Sequence, residues 1–81
     1  FLPLAPEYGI MEVAPPVEFI GKTLGEIDLR KKYKVQVAAI KQLIPEKMIM
    51  VPGADFVIKD SDVLVVMGED KNLEALQKKK L

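Results

Sequence analysis

Few side chains in this 81-residue chain could carry out chemistry, and their types exclude most reactions. There is no cysteine and no histidine, which rules out disulfides, thiolate or imidazole catalysis and Cys/His zinc sites. Nucleophilic catalysis needs an activated Ser, Thr, Cys or Lys beside a base. The single serine, Ser61, falls in the turn sequence Lys59-Asp60-Ser61-Asp62, and the single threonine, Thr23, heads a helix-capping sequence. Each has a structural use, so no catalytic residue is assigned and the chain is expected not to be an enzyme.

Recognition chemistry is better represented. Arg30 is the only arginine, and a guanidinium can grip a phosphate with two parallel hydrogen bonds. The alternative is a solvated surface arginine or one paired with Asp28. Asp55, Asp60, Asp62, Glu69 and Asp70 are acidic residues that flank the last strand. A hard cation such as calcium takes about six to eight oxygens, and none of these residues has loop-type ligand spacing. No metal site is assigned. Met48 and Met50 are read as core filler rather than as sulfur ligands.

What positions these residues must be one domain, since 81 residues make no more. A chain this short buries only about 60% of its unfolded surface and usually needs a disulfide, a metal or a partner copy. Oligomerisation is the remedy this composition leaves. Twelve basic residues balance twelve acidic ones, which argues against a nucleic-acid partner. No apolar run approaches the roughly 18 residues of a spanning helix, and no signal peptide is visible. The chain has no initiator Met and opens Phe1-Leu2-Pro3-Leu4-Ala5-Pro6. It reads as an excerpt of a longer protein, with residues 1–7 a linker from an upstream domain and 8–81 the domain itself. The lack of cysteine fits a cytoplasmic location.

Along the chain, Tyr8 to Ala14 is expected as a strand with Gly9, Met11 and Val13 on one face, ended by Pro15-Pro16. Thr23-Leu24-Gly25-Glu26 is a capping box. Gly25 weakens the helix it opens by roughly 1 kcal/mol relative to Ala. Asp28 offers a second cap, so either one helix over 24–32 or two short turns broken near Asp28 is expected. On a continuous helix Leu24 and Ile27 point one way, while Leu29 and Tyr33 point nearly opposite and need a separate partner. Val35 to Gln42 is a strand, with Val35, Val37 and Ala39 facing one way and Ala38 and Ile40 the other. Glu46 to Val51 is another, and Pro52-Gly53 reads as a type II turn. Val63 to Met67 is a third strand, apolar on both faces, so both faces should be covered. Gly68 ends it, Asp70 caps a final helix, Leu73 and Leu76 face inward, and Lys78-Lys79-Lys80 suits a helix C-terminus. The resulting fold class is α+β, a small mostly antiparallel sheet of about four strands with two helices in the order β-α-β-β-β-α. Helices cover one face and a second copy of the chain covers the other.

The run Gly21-Lys22-Thr23-Leu24-Gly25-Glu26-Ile27-Asp28-Leu29-Arg30, then Tyr33 and Val35 to Ile40, resembles the first half of RCK C-terminal (TrkA-C) domains. Pro52 and Phe56 to Gly68 are similar to the second half, with Ser61 where that family usually has glycine. The resemblance implies a cytoplasmic regulatory domain at the inner face of the membrane, attached through its parent chain to a potassium channel, potassium transporter or cation antiporter. It also implies a homodimer that senses a small effector and carries no resident cofactor. Some similar members bind cyclic di-AMP at the dimer interface. Carried over by position, Leu24 and Leu29 would contact an adenine, Asp28 its polar edge and Arg30 a phosphate. Gln36 falls where those members often carry asparagine. The alternative function is a purely structural dimerisation module with no ligand of its own, and packing alone would also explain Leu24 and Leu29.

Overall fold

In the computed structural model, which describes residues 1–79, the chain forms one five-stranded antiparallel sheet. The strands are β1 (Leu2–Ala5), β2 (Tyr8–Val13), β3 (Val35–Leu43), β4 (Glu46–Met50) and β5 (Val63–Glu69), in the spatial order β1-β2-β5-β3-β4. The helices are α1 (Leu24–Ile27), α2 (Leu29–Lys32) and α3 (Asp70–Lys78), with a 3-10 turn at Val17–Phe19 after the two prolines. The class is the expected α+β, with one more strand. Residues 1–7, expected as an irregular linker, contain β1, whose Leu2 and Pro3 pair with Ile10 and Gly9. Proline is tolerated there because β1 is an edge strand, where one side of the backbone needs no partner.

The register sorts side chains onto two faces. Val35, Gly9 and Gly68 align on one, with Met11, Val66 and Val37 beside them, then Val13, Leu64 and Ile40. These residues, with Ile27, Leu29, Phe19, Ile58, Leu73 and Leu76, form the buried core. Leu73 and Leu76 face inward as expected. The expected strand β2, with Gly9, Met11 and Val13 facing the core, is present and ends one residue earlier, at Val13.

Strand β3 departs from simple alternation. Val37 pairs with Val66 but Ala39 pairs with Val65, so Ala38 is an extra residue, a β-bulge. An inserted residue reverses the facing of everything after it. Ile40 therefore joins Val35 and Val37 in the core at 0% exposure, while Ala39 lies on the opposite face beside Val65. The expected grouping of Val35, Val37 and Ala39 is corrected by that one residue.

The opposite face carries Ile10, Met67 and Gln36 in one row, Glu12, Val65 and Ala39 in the next, with Met50 beside Ala39 and Met48 beside Lys41. Among the described residues no helix lies over it, and Lys41 Nζ reaches Glu12 Oε2 across it at 2.9 Å. Met48 and Met50 are exposed on this face, Met50 by 66%. They are not core filler, because β4 is the sheet edge, and of Lys47 and Ile49 on its helix side only Ile49 is partly buried. Among the described residues, helices cover one face of the sheet and leave the other open.

One local expectation changes. Asp70 is the first residue of α3 rather than its cap, and no side chain caps that helix; the Asp70 amide donates instead to the Glu7 carbonyl at 2.8 Å. Ser61, which stands where the resembled domains usually have glycine, is not in the positive-φ region and bears no strain of that kind. Lys78 ends α3, whereas Lys80 lies outside the described residues.

Candidate functional site

The segment from Thr23 to Lys34 is built by its caps. Glu26 N–H donates to Thr23 Oγ1 at 3.1 Å and Thr23 N–H donates to Glu26 Oε1 at 2.8 Å, the reciprocal pair the sequence predicts. The chain then breaks into two short helices at Asp28, whose φ of 56° and ψ of 57° are left-handed. Aspartate tolerates that region better than most residues. Its carboxylate makes no capping bond, so Asp28 works through its backbone and not as the side-chain cap expected. The break rotates α2 against α1. Ile27 and Leu29 both enter the core, Leu29 to 5% exposure, where a continuous helix would have set Leu29 on a face without a partner. Tyr33 packs edge-on against Phe19, ring centroids 5.5 Å apart.

The loop after β4 lies against the start of α1. The amides of Leu24 and Gly25 donate to the carbonyls of Phe56 and Ala54 at 3.0 and 2.8 Å. Helix N-termini leave such amides unpaired, and here the loop satisfies them. Gly25, unfavourable for the helix by propensity, is explained by this contact: a Cβ there would meet the Ala54 oxygen at 3.2 Å and its Cβ at 3.3 Å. The expected type II turn at Pro52-Gly53 does not form, since Gly53 lacks the positive φ it requires. A turn closes instead from the Gly53 carbonyl to the Phe56 amide at 3.1 Å.

Between α1, α2, the first residues of β3 and this loop runs a cleft of about 310 Å³. It lies at the small end of the roughly 300–1,000 Å³ range of ligand pockets. Leu24, Asp28, Leu29, Arg30 and Gln36, named from the sequence, all line it. Leu29 contributes only its margin, being buried. Arg30 and Gln36 stand exposed at the rim, and Leu24 and Asp28 are half-buried. Among the described residues Arg30 forms no ion pair, with Asp28 or any other carboxylate. The cleft therefore offers an apolar floor, one free guanidinium, one carboxylate and one amide. That donor set suits a flat heteroaromatic group joined to an anion.

The loop wall of Pro52, Gly53 and Ala54, and Val37 on the floor, were not singled out from the sequence. Gly25 inside a helix was the available signal, because a glycine that costs helix stability marks a close approach. The acidic residues flanking β5 do not converge; among the described residues no three of them form a metal-holding group.

Comparison with known proteins follows this geometry. Residues 9–81 match the model of the family described as the TrkA-C domain. The K(+)/H(+) antiporter subunit KhtT of Bacillus subtilis is 49% identical over 57 residues, 70% of this chain and 34% of that protein. The Ktr system potassium uptake protein C of the same organism is 31% identical over 81 residues, 100% of this chain and 36% of that protein. The chain thus spans about a third of the length of these relatives. Among solved structures, the RCK C domain of the potassium transport protein KtrA in complex with cyclic diadenosine monophosphate superposes with a TM-score of 0.81. It is 27% identical, covering 93% of this chain and 86% of that one.

Proposed function

The chain belongs to the TrkA-C domain family of regulatory domains, which are not enzymes, and on that basis we propose that it is the ligand-sensing dimerisation module of a potassium or other cation transport system. The ligand is cyclic di-AMP or a close chemical relative, held where two copies meet. The observation that carries this reading is the convergence of Leu24, Asp28, Leu29, Arg30 and Gln36 on one cleft with an unpaired guanidinium.

Two further observations support it. Gln36 pairs in register with Met67, so the cleft's rim borders the uncovered apolar face of the sheet. A second copy covering that face brings two clefts and two Arg30 side chains about one axis, matching a two-fold symmetric dinucleotide with two phosphates. The KtrA RCK C domain, with a similar fold, was solved with cyclic di-AMP. In the parent protein the domain works at the inner face of the membrane and passes ligand occupancy on as a change in dimer geometry. A ligand moves such an equilibrium only by binding one arrangement more tightly than the other.

Calorimetric titration of the 81-residue chain with cyclic di-AMP, ATP and divalent cations tests the proposal. Saturable heat with cyclic di-AMP at one ligand per two chains is the expected result. No heat with any of them, alongside a stable dimer, would establish the second reading, a structural dimerisation module, which the open apolar face also favours.

A further inference from the structure

Val51 has a φ of 46°, the only β-branched residue among the described ones on the positive side of the map. A branched side chain is disfavoured there by contact with its own backbone. Its side chain is 78% exposed, so burial within this chain does little to offset the strain. Two hydrogen bonds show what the conformation accomplishes. The Val51 amide donates to the carbonyl of Ala38, the bulge residue of β3, at 2.9 Å. Three residues on, the Ala54 carbonyl accepts from Gly25 of α1 at 2.8 Å. The wall Pro52–Ala54 is held between these two anchors, and Pro52 adds a fixed φ of its own. At Val51 the chain leaves the β4 direction, parting from the sheet where β3 carries its extra residue.

We propose that Val51 is a positioning residue, whose positive-φ backbone sets the Pro52–Ala54 wall against α1 and thereby the width of the ligand cleft. It touches no ligand itself. Strained backbone persists where surrounding structure over-determines it and is concentrated at ligand clamps and switch regions. The inference rests on the cleft being the ligand site, but its first readout needs no ligand.

Two substitutions separate the backbone role from the side chain. Val51→Asn keeps an L residue that enters the positive-φ region readily, without glycine's extra freedom in the unfolded chain. Val51→Pro locks φ near −65° and removes the amide that binds Ala38. At equal protein concentration, Val51→Asn is expected to raise Tm by roughly 4–8 °C and to leave hydrogen exchange of the Gly25 amide unchanged. Val51→Pro is expected to speed that exchange at least tenfold. A lowered Tm in Val51→Asn would overturn the strain, and unchanged Gly25 exchange in a folded Val51→Pro would overturn the positioning. Should the proline variant fail to fold, Val51→Gly takes its place, retaining protection at Gly25 if backbone angle alone sets the wall and losing it if the valine side chain does. With cyclic di-AMP, Val51→Asn should bind within about twofold of wild type and Val51→Pro at least tenfold more weakly. If wild type binds none while the ligand-free results hold, the ligand reading fails and the positioning of the wall stands.

Discussion

The Gly25 amide donates to the Ala54 carbonyl at 2.8 Å, across a gap so tight that a Cβ on residue 25 would sit 3.2 Å from the Ala54 oxygen and push the loop back by a few tenths of an ångström. This contact joins the first helix to the far wall of the cleft, so a local sequence cost becomes a tertiary link. Gly25→Ala gains up to about 1 kcal/mol of helix propensity and loses the close approach. The expected result is a stability change below about 1 kcal/mol together with at least tenfold faster exchange of the residue-25 amide. A full propensity gain with exchange unaltered would show that the wall yields freely.

The capping box predicts both a magnitude and a pH dependence. Thr23→Ala should cost about 0.5–2 kcal/mol in denaturant unfolding. The Thr23 amide hydrogen bond, aided by the Thr23 hydroxyl and the Lys22 charge, holds the Glu26 carboxyl below its ordinary 4.5, against a smaller opposing effect of desolvation. A carboxylate lowered in the folded state adds stability that is fully present above its unfolded value. That stability is lost as pH falls through the folded value. The Glu26→Gln penalty should therefore be largest near neutrality and shrink on the acid side of 4.5. Thr23→Ala keeps the backbone amide that donates to Glu26, so its own penalty should change less with pH, and a Glu26→Gln penalty independent of pH would contradict the reciprocal pair.

Arg30 is exposed and has no ion-pair partner among the described residues. Removing it should leave stability within about 0.5 kcal/mol while weakening cyclic di-AMP binding at least tenfold, as loss of a charge-assisted bond of about 1.5–3 kcal/mol requires. Arg30→Lys keeps the charge but not the fork, and should recover only part of the affinity. Equal affinity in Arg30→Ala, by titration calorimetry, would remove Arg30 from the site.

The open sheet face makes dimerisation testable without the ligand. Met50 is exposed in the single chain, so Met50→Glu should cost the monomer about 0.5 kcal/mol or less. In the dimer it would bury an unpaired charge. Analytical ultracentrifugation at micromolar concentration should show wild type as a dimer and Met50→Glu as a folded monomer. A dimer unaffected by the charge would place the partner elsewhere.

The bulge at Ala38 decides which side chains are core. With it, Ile40 is fully buried beside Leu64, and Ile40→Ala should cost about 2–5 kcal/mol. Without it, Ile40 would lie on the uncovered face and the same change would cost far less. Equilibrium unfolding distinguishes the two registers.

Local chemistry determined much of this protein. The absence of Cys and His excluded whole reaction classes, Thr23 and Glu26 marked a helix start to the residue, and short apolar runs marked β2, β3 and β5. Those signals are legible because their physics spans three or four neighbours. The cleft was half legible: the Leu24 to Gln36 side came from contiguous residues, whereas the Pro52–Ala54 wall needed the loop folded back onto α1. Leu29 could not be placed until Asp28 adopted a left-handed backbone, nor Ile40 until Ala38 bulged, since one residue's backbone angle reverses the facing of all that follows. Met48 and Met50 read as core because apolarity marks what can be buried. Which apolar residues are buried depends on strand order, and β4 falls at the edge. Tertiary structure made those choices through long-range pairing, in which β5, last in sequence, lies at the centre of the sheet between β2 and β3.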